Sequence, residues 1–207
     1  MKYRLEIDWE RLYSAVLTAM FQGCAVYPVI LTAVTCDELL QLCDKADVHR
    51  PRSSGVYQSF ATHHFAKPLP EALEWLVERT ESVACAIHAR GGPVWLREWR
   101  VNDVAMQRYV KPWDMIGWHR DYKQDVYLVV VYTLAGESVI DVELHGRVVS
   151  WRVQAGSVMV LLGCAPGRGS DPRIRHRVRP PLNGQPRTSL ALRMSVAELS
   201  NYAALAV

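Results

Sequence analysis

The run Gly117-Trp118-His119-Arg120-Asp121 sets an imidazole and a carboxylate two residues apart. On extended backbone, residues i and i+2 project to the same side, so both groups can reach one cation. Alone, such a pair is a common coincidence in a chain with 7 histidines. A second imidazole, His176, lies far downstream in another strand-like segment, and Arg187 and Arg193 follow it. Two imidazoles and one carboxylate can occupy one face of an octahedral iron(II), leaving the opposite face open for a bidentate organic acid and dioxygen. An arginine on a neighbouring strand can then grip a distal carboxylate through a planar two-point contact that lysine cannot reproduce.

Such a constellation needs strands to hold it, and the second half of the chain supplies them. Segments 94–101, 104–110, 125–134, 138–144, 147–153, 157–162, 174–178 and 188–195 are rich in β-branched and aromatic residues, and several alternate apolar with polar side chains. His145-Gly146 reads as a tight hairpin turn. The first half reads as helical. Thr35 and Glu38 have capping-box spacing ahead of Leu39, Leu40, Leu42, Cys43 and Ala46, and a second helix is expected from Pro70 until Gly91 and Gly92 stop it. Segments 49–55 and 56–70 read as loop. The expected fold is α+β and mainly β, a double-stranded β-helix (jelly roll) with the N-terminal helices packed on one sheet. One domain is expected over 1–207, with a helical, lid-like part at 1–93 and the jelly-roll core at 94–196.

Composition narrows the setting. With 50% apolar residues and 22% charged, the 207-residue chain is globular in character, which excludes disordered and collagen-like classes. The five cysteines, Cys24, Cys36, Cys43, Cys85 and Cys164, form no CxxC pair and lie in apolar stretches, as reduced core thiols of a cytoplasmic protein would. The charged opening MKYRLEIDWERLY does not read as a secretory signal, and the apolar run 24–34 is too short to span a bilayer, so no membrane association is expected. The net charge of +3 permits a nucleic-acid partner without requiring one. The local bias is basic, since Arg168, Arg173, Arg175, Arg177, Arg179, Arg187 and Arg193 face the single acid Asp171 in 165–193. Exposed arginines on a solvated loop are the plain reading of most of that run.

The stretch QRYVKPWDMIGWHRD, followed by RHRV and RTSLALR, resembles the iron(II)- and 2-oxoglutarate-dependent dioxygenases, and among them it is most similar to the AlkB-like branch. The resemblance covers about residues 104–195. It implies that His119, Asp121 and His176 bind Fe(2+). It also implies that Arg187 and Arg193 hold the carboxylate ends of 2-oxoglutarate, with Tyr109 and Gln107 as further contacts. Gln107 and Ser189 stand where that branch carries asparagine. The implied activity couples O2 and 2-oxoglutarate to hydroxylation of a C–H bond, with succinate as coproduct.

For the oxidised substrate the residues leave alternatives open. The resemblance implies DNA or RNA bases, demethylated or hydroxylated. In the lid-like stretch Tyr57 and Phe60 could stack on an extruded base, and His63 and His64 could meet its edge or a phosphate. Trp118 and Tyr122 flank the metal-binding triplet, but regular alternation would turn them away from it. Trp113 and Asp114 fall in a loop that could border the pocket. A metabolite, amino acid or protein side chain is the alternative substrate, and a non-catalytic sensor or scaffold is a third reading.

Overall fold

The computed structural model describes residues 5–50, 55–165 and 171–196. Arg168 and the middle of the loop 49–55 lie outside the described residues. Three helices precede most of the strands: α1 (Trp9–Gln22), α2 (Ala33–Asp44) and α3 (Glu71–Ala89). The side chain of Asp8 caps α1 by accepting from the Arg11 N–H at 3.0 Å, satisfying one of the free donors of the first turn. The expected second helix over 70–91 is α3.

Strands β1 (Cys24–Tyr27), β8 (Val158–Leu162), β5 (Asp125–Ala135), β10 (Arg187–Ser195), β3 (Asp103–Tyr109) and β2 (Ala61–His64) form a six-stranded sheet in that order. A four-stranded sheet runs β4 (Ile116–His119), β9 (His176–Val178), β6 (Glu137–Leu144), β7 (Arg147–Gln154). Every pairing within the two sheets is antiparallel, and the two faces enclose a jelly-roll core. The β6–β7 hairpin turns at His145 (φ 49°) and Gly146 (φ 75°), where left-handed backbone favours glycine.

Strand alternation divides the interior into two cores. Leu128, Val130 and Tyr132 of β5, Val158 and Val160 of β8, and Leu190 and Leu192 of β10 face the helices. There they meet Leu12 and Val16 of α1, Leu39 of α2, and Leu73, Leu76 and Val83 of α3. Val129 and Val131, Met159 and Leu161, Ala191 and Tyr109 point the other way, between the sheets. Because β5 is buried on both faces it reads as an almost continuous apolar run. The Thr80 and Tyr132 hydroxyls, 2.9 Å apart, tie α3 to the sheet.

Three expectations are corrected. Residues 94–101 are not a strand: Trp95–Glu98 form one helical turn, α4. Leu96 and Trp99 are three apart and both fully buried, a helical spacing, and the Trp99 indole N–H donates to the Leu128 carbonyl at 3.1 Å. The cap of α2 is Thr32, whose hydroxyl accepts from the Thr35 N–H, while Thr35 is buried and its hydroxyl donates to the Glu6 carbonyl. The stretch read as loop after residue 56 contains β2, which pairs with β3 from Ala61↔Arg108 to His64↔Ala105. The cysteines are all free thiols, with Cys24, Cys36 and Cys43 buried and Cys85 and Cys164 partly so. No helix among the described residues is long and apolar enough to cross a membrane.

Candidate metal centre

The two strands that carry the histidines pair at His119↔His176. The register shifts between Ile116 and His119, and this irregularity lets both residues face the interior although they stand three apart in sequence. Trp118 is turned to the outer face, where Arg175 and Arg177 lie 5.3 and 4.9 Å from its ring centroid. Ligand atoms of His119, Asp121 and His176 all lie within 4.8 Å of one another, a group that could hold a metal ion.

The donor chemistry fits a cation. His119 Nδ1 is 2.9 Å from the Gly117 carbonyl and His176 Nδ1 is 3.1 Å from the Ile174 carbonyl. A carbonyl only accepts, so each Nδ1 carries the proton and each Nε2 offers a lone pair toward Asp121, at 3.7 and 3.8 Å from its Oδ1. Burial pushes the His176 imidazole below its ordinary pKa, which keeps it neutral near pH 7. Burial pushes the Asp121 carboxyl up, but His176, His119 and Arg193 outweigh it and hold the group at about 2. Two imidazoles and a carboxylate, with their lone pairs converging, suit a borderline divalent ion such as iron(II).

Behind the three candidate ligands the cavity continues between the sheets, walled by Val129, Val131, Met159, Leu161 and Ala191. At its end sits Arg187, 1% exposed. Its guanidinium lies 5.2 Å over the Tyr109 ring and its Nη2 donates to the Thr133 hydroxyl at 3.1 Å. Nε and Nη1 have no hydrogen-bond partner among the described residues. A buried cation with two idle donors is costly unless an anion meets it. The start of β10 is fixed by Gly136 (φ 70°), where a Cβ would sit 2.1 Å from the Pro186 carbonyl oxygen. Gln107 and Tyr109 line the same cavity, and burial raises the Tyr109 phenol to about 12, so its hydroxyl stays a donor.

Arg193 is held differently. Its Nη2 is 2.7 Å from Asp103, whose other oxygen is 2.8 Å from His64 Nδ1. In front of the ligands a wider pocket, with about 980 Å³ of open space, is lined by Phe60, Thr62, His64, Arg120, Tyr122 and Arg193 among others. Phe60 is buried and stacked on Tyr109 at 5.0 Å, while Tyr122 is exposed at the rim. Tyr57 is exposed and lies outside the lining of both pockets, as does Trp118. His63 turns to the Asp47 carbonyl. Asp114 closes its own turn by accepting from the Val110 and Lys111 N–H groups at 2.8 and 2.9 Å.

Four contributors were not singled out for this site by sequence reasoning: Asp103, Thr133, and Asp171 with Arg173, the latter two bound to each other. Arg173 also donates to the Asp121 backbone carbonyl and so braces the ligand loop. Three further arginines of the run are paired with acids. Arg175 meets Glu143 at 3.5 Å, and Arg177 and Arg179 both meet the buried Asp141, at 2.6 and 2.7 Å.

No protein-family model matches the chain, and no curated protein matches its sequence. Solved structures do share its fold. A Pseudomonas putida prolyl-4-hydroxylase superposes with TM-score 0.69 at 16% identity, covering 89% of this chain and 98% of that one. A Trichoplax adhaerens prolyl hydroxylase, solved with a hypoxia inducible factor peptide fragment, gives TM-score 0.67 at 14% identity over 90% of each chain. OsALKBH1 gives TM-score 0.60 at 14% identity, over 83% of this chain and 98% of that one. The chain therefore shares the jelly-roll fold of these prolyl hydroxylases and of OsALKBH1.

Proposed function

We propose that the chain is a single-domain iron(II)- and 2-oxoglutarate-dependent oxygenase that hydroxylates a C–H bond. The observation that carries this reading is one cavity with three converging metal-ligand atoms at its mouth and the idle donors of buried Arg187 at its end. His119, Asp121 and His176 would hold the iron, and Arg187 would take the distal carboxylate of 2-oxoglutarate through Nε and Nη1. Tyr109 and Gln107 would lie along the cosubstrate, and Arg193 near its metal-side end. When bound, iron, dioxygen and 2-oxoglutarate supply the oxidation, with succinate and carbon dioxide as coproducts. The chain's own part is to fix both imidazole tautomers, to neutralise the cosubstrate's charge and to keep water from the apolar walls. The free cysteines fit the cytoplasmic setting expected from the sequence.

Two substrate readings follow. The likeness to OsALKBH1 and the exposed Tyr122 at the pocket rim support an AlkB-like hydroxylase or demethylase of DNA or RNA bases. The prolyl hydroxylase likenesses support a protein side chain or small metabolite instead. The acid pairing of Arg173, Arg175 and Arg179 favours this second reading, because a paired guanidinium gives up little to a phosphate backbone. The test is iron-dependent succinate formation measured with methylated single- and double-stranded oligonucleotides, peptides and amino acids side by side. Stimulation by oligonucleotides alone supports the first reading and stimulation by peptides or amino acids the second. Failure of the protein to bind 2-oxoglutarate with a divalent metal overturns the oxygenase assignment itself.

A further inference from the structure

One wall of the front pocket is a single face of two neighbouring strands. Phe60, Thr62 and His64 line it from β2 and the residue before it, and Ala105 and Gln107 of β3 stand opposite His64 and Thr62 in the register. Val56 and Ile116 add to its apolar part. His63, between Thr62 and His64, turns away to the Asp47 carbonyl.

The other oxygens of this wall are engaged. The Thr62 hydroxyl donates to the Met106 carbonyl at 2.7 Å. The Gln107 side-chain oxygen accepts from the Tyr109 and Ser189 hydroxyls at 3.5 and 3.4 Å. His64 differs. It is about half exposed, and its Nδ1 is 2.8 Å from one oxygen of Asp103. Burial pushes the Asp103 carboxyl up, but His64 and Arg193 outweigh it and hold the group below its ordinary pKa. As a carboxylate Asp103 only accepts, so Nδ1 carries the proton and Nε2 of the neutral ring keeps a lone pair. Arg193 holds the other Asp103 oxygen at 2.7 Å, which anchors the imidazole through Asp103 to β10. Arg193 itself keeps a buried Nε without a partner and lines the cosubstrate cavity as well, so that donor is left to the cosubstrate. His64 is left with one free function, that of an acceptor, and the small Ala105 opposite cannot cover it.

We propose that His64 is a specificity-determining residue whose Nε2 accepts a hydrogen bond from an N–H or O–H group of the oxidised substrate, while an apolar part of that substrate lies against Val56, Phe60 and Ala105. The proposal rests on the oxygenase reading for its direction, since His119 and Asp121 line the same pocket. A substrate carbonyl or carboxylate at this point would face the Nε2 lone pair and be repelled. Asp103 is a positioning residue that fixes the ring's tautomer.

Two matched pairs of methyl-bearing probes test this at about pH 8: N-methylacetamide against N,N-dimethylacetamide, and tert-butanol against its methyl ether. Within each pair a methyl group replaces the donor hydrogen. Binding is followed by saturation transfer to the methyl protons, in protein loaded with redox-inert Zn(II) and 2-oxoglutarate. His64→Phe keeps a planar ring and removes Nε2. At least one donor probe is expected to bind saturably and to lose about twofold or more in affinity in His64→Phe, while its methylated counterpart loses less than about twofold. The pair that behaves so names the donor. In long-range proton–nitrogen correlation spectra the His64 ring, identified by its loss in the variant, should carry its proton on Nδ1 and shift at Nε2 when that probe is added. A proton on Nε2, no saturable binding of either donor probe, or equal losses within both pairs overturns the proposal. Failure of 2-oxoglutarate to bind overturns the oxygenase reading instead; the same comparison is then made without cosubstrate, where dependence on His64 still marks it as the acceptor for a donor ligand.

Discussion

Replacing Arg187 with Met separates a residue kept for a ligand from one kept for the fold. Met keeps the apolar stem as far as the position of Nε, but removes the guanidinium over the Tyr109 ring, its bond to the Thr133 hydroxyl, the charge and both idle donors, Nε and Nη1. In the ligand-free protein each buried donor without a partner costs about 1–3 kcal/mol. Their removal should therefore leave the apo protein as stable as wild type or raise its Tm by several degrees, at about 2–4 °C per kcal/mol for a chain of this size. Two charge-assisted hydrogen bonds at about 1.5 kcal/mol each give about 3 kcal/mol, so the Kd for 2-oxoglutarate should rise roughly 100-fold. At 100 times the wild-type Kd the ligand stabilises wild type by about 2.7 kcal/mol, and the variant by only about 0.4 kcal/mol. Thermal unfolding with Zn(II), with and without 2-oxoglutarate, reads both quantities. A variant that unfolds several degrees lower without ligand, yet keeps the full ligand-induced shift, would refute the assignment of Arg187 to the cosubstrate.

Other perturbations have equally definite outcomes. Asp121→Ala should abolish iron-dependent succinate formation while circular dichroism shows the fold retained, and unchanged turnover would remove this residue from the site. Burial raises the Asp125 carboxyl to about 6 from its ordinary 3.8, with Asp121 and Asp103 adding to the effect against Arg193. Its contribution to stability is present below pH 3.8 and lost as pH rises through 6, so the ionised group costs up to about 3 kcal/mol at pH 8. Asp125→Asn should accordingly raise the urea midpoint at pH 8 and not at pH 4; an equal change at both values would contradict the cause. Asp141→Ala leaves Arg177 and Arg179 without their buried partner. It should cost about 2 kcal/mol in denaturant unfolding with no change in 2-oxoglutarate affinity, because the network lies on the outer face of the smaller sheet. A matching loss of cosubstrate binding would place that network in the site instead.

The cluster of His119, Asp121 and His176 was legible because it depends on residue type and strand period, both of which are local. His119 and Asp121 announce themselves within three residues, and Arg187, Ser189, Ala191 and Arg193 share a face of β10 by simple alternation. Most strands of the second half followed from their density of β-branched and aromatic residues, whereas β1, β2 and β4 did not. What escaped was non-local or ambiguous in period. Asp103 and His64 stand 39 residues apart and meet through the β2–β3 pairing, which the polar, turn-rich stretch before α3 concealed. The β4 irregularity that lets Ile116 and His119 both face the interior has no sequence mark, although the outward turn of Trp118 follows from its alternation with His119. Leu96 and Trp99 fit a helical turn, while Trp95, Trp99 and Val101 fit a strand, and the Trp99–Leu128 hydrogen bond decides between them. The arginine run looked like free basic charge because its acids, Asp141 and Glu143, sit on a distant strand. An acid inside the apolar segment SVIDVEL was the available signal that a cation must cover it.

Anaerobic titration tests the oxygenase assignment most directly. The protein is titrated first with iron(II) and then with 2-oxoglutarate, following the visible charge-transfer absorption of a 2-oxo acid chelated to iron(II). The geometry predicts saturation at one iron and one 2-oxoglutarate per chain, with the absorption absent in Asp121→Ala and reached only at much higher cosubstrate concentration in Arg187→Met. Absence of that absorption in the wild-type protein, or its persistence unchanged in both variants, would contradict the assignment of this cavity to iron and 2-oxoglutarate.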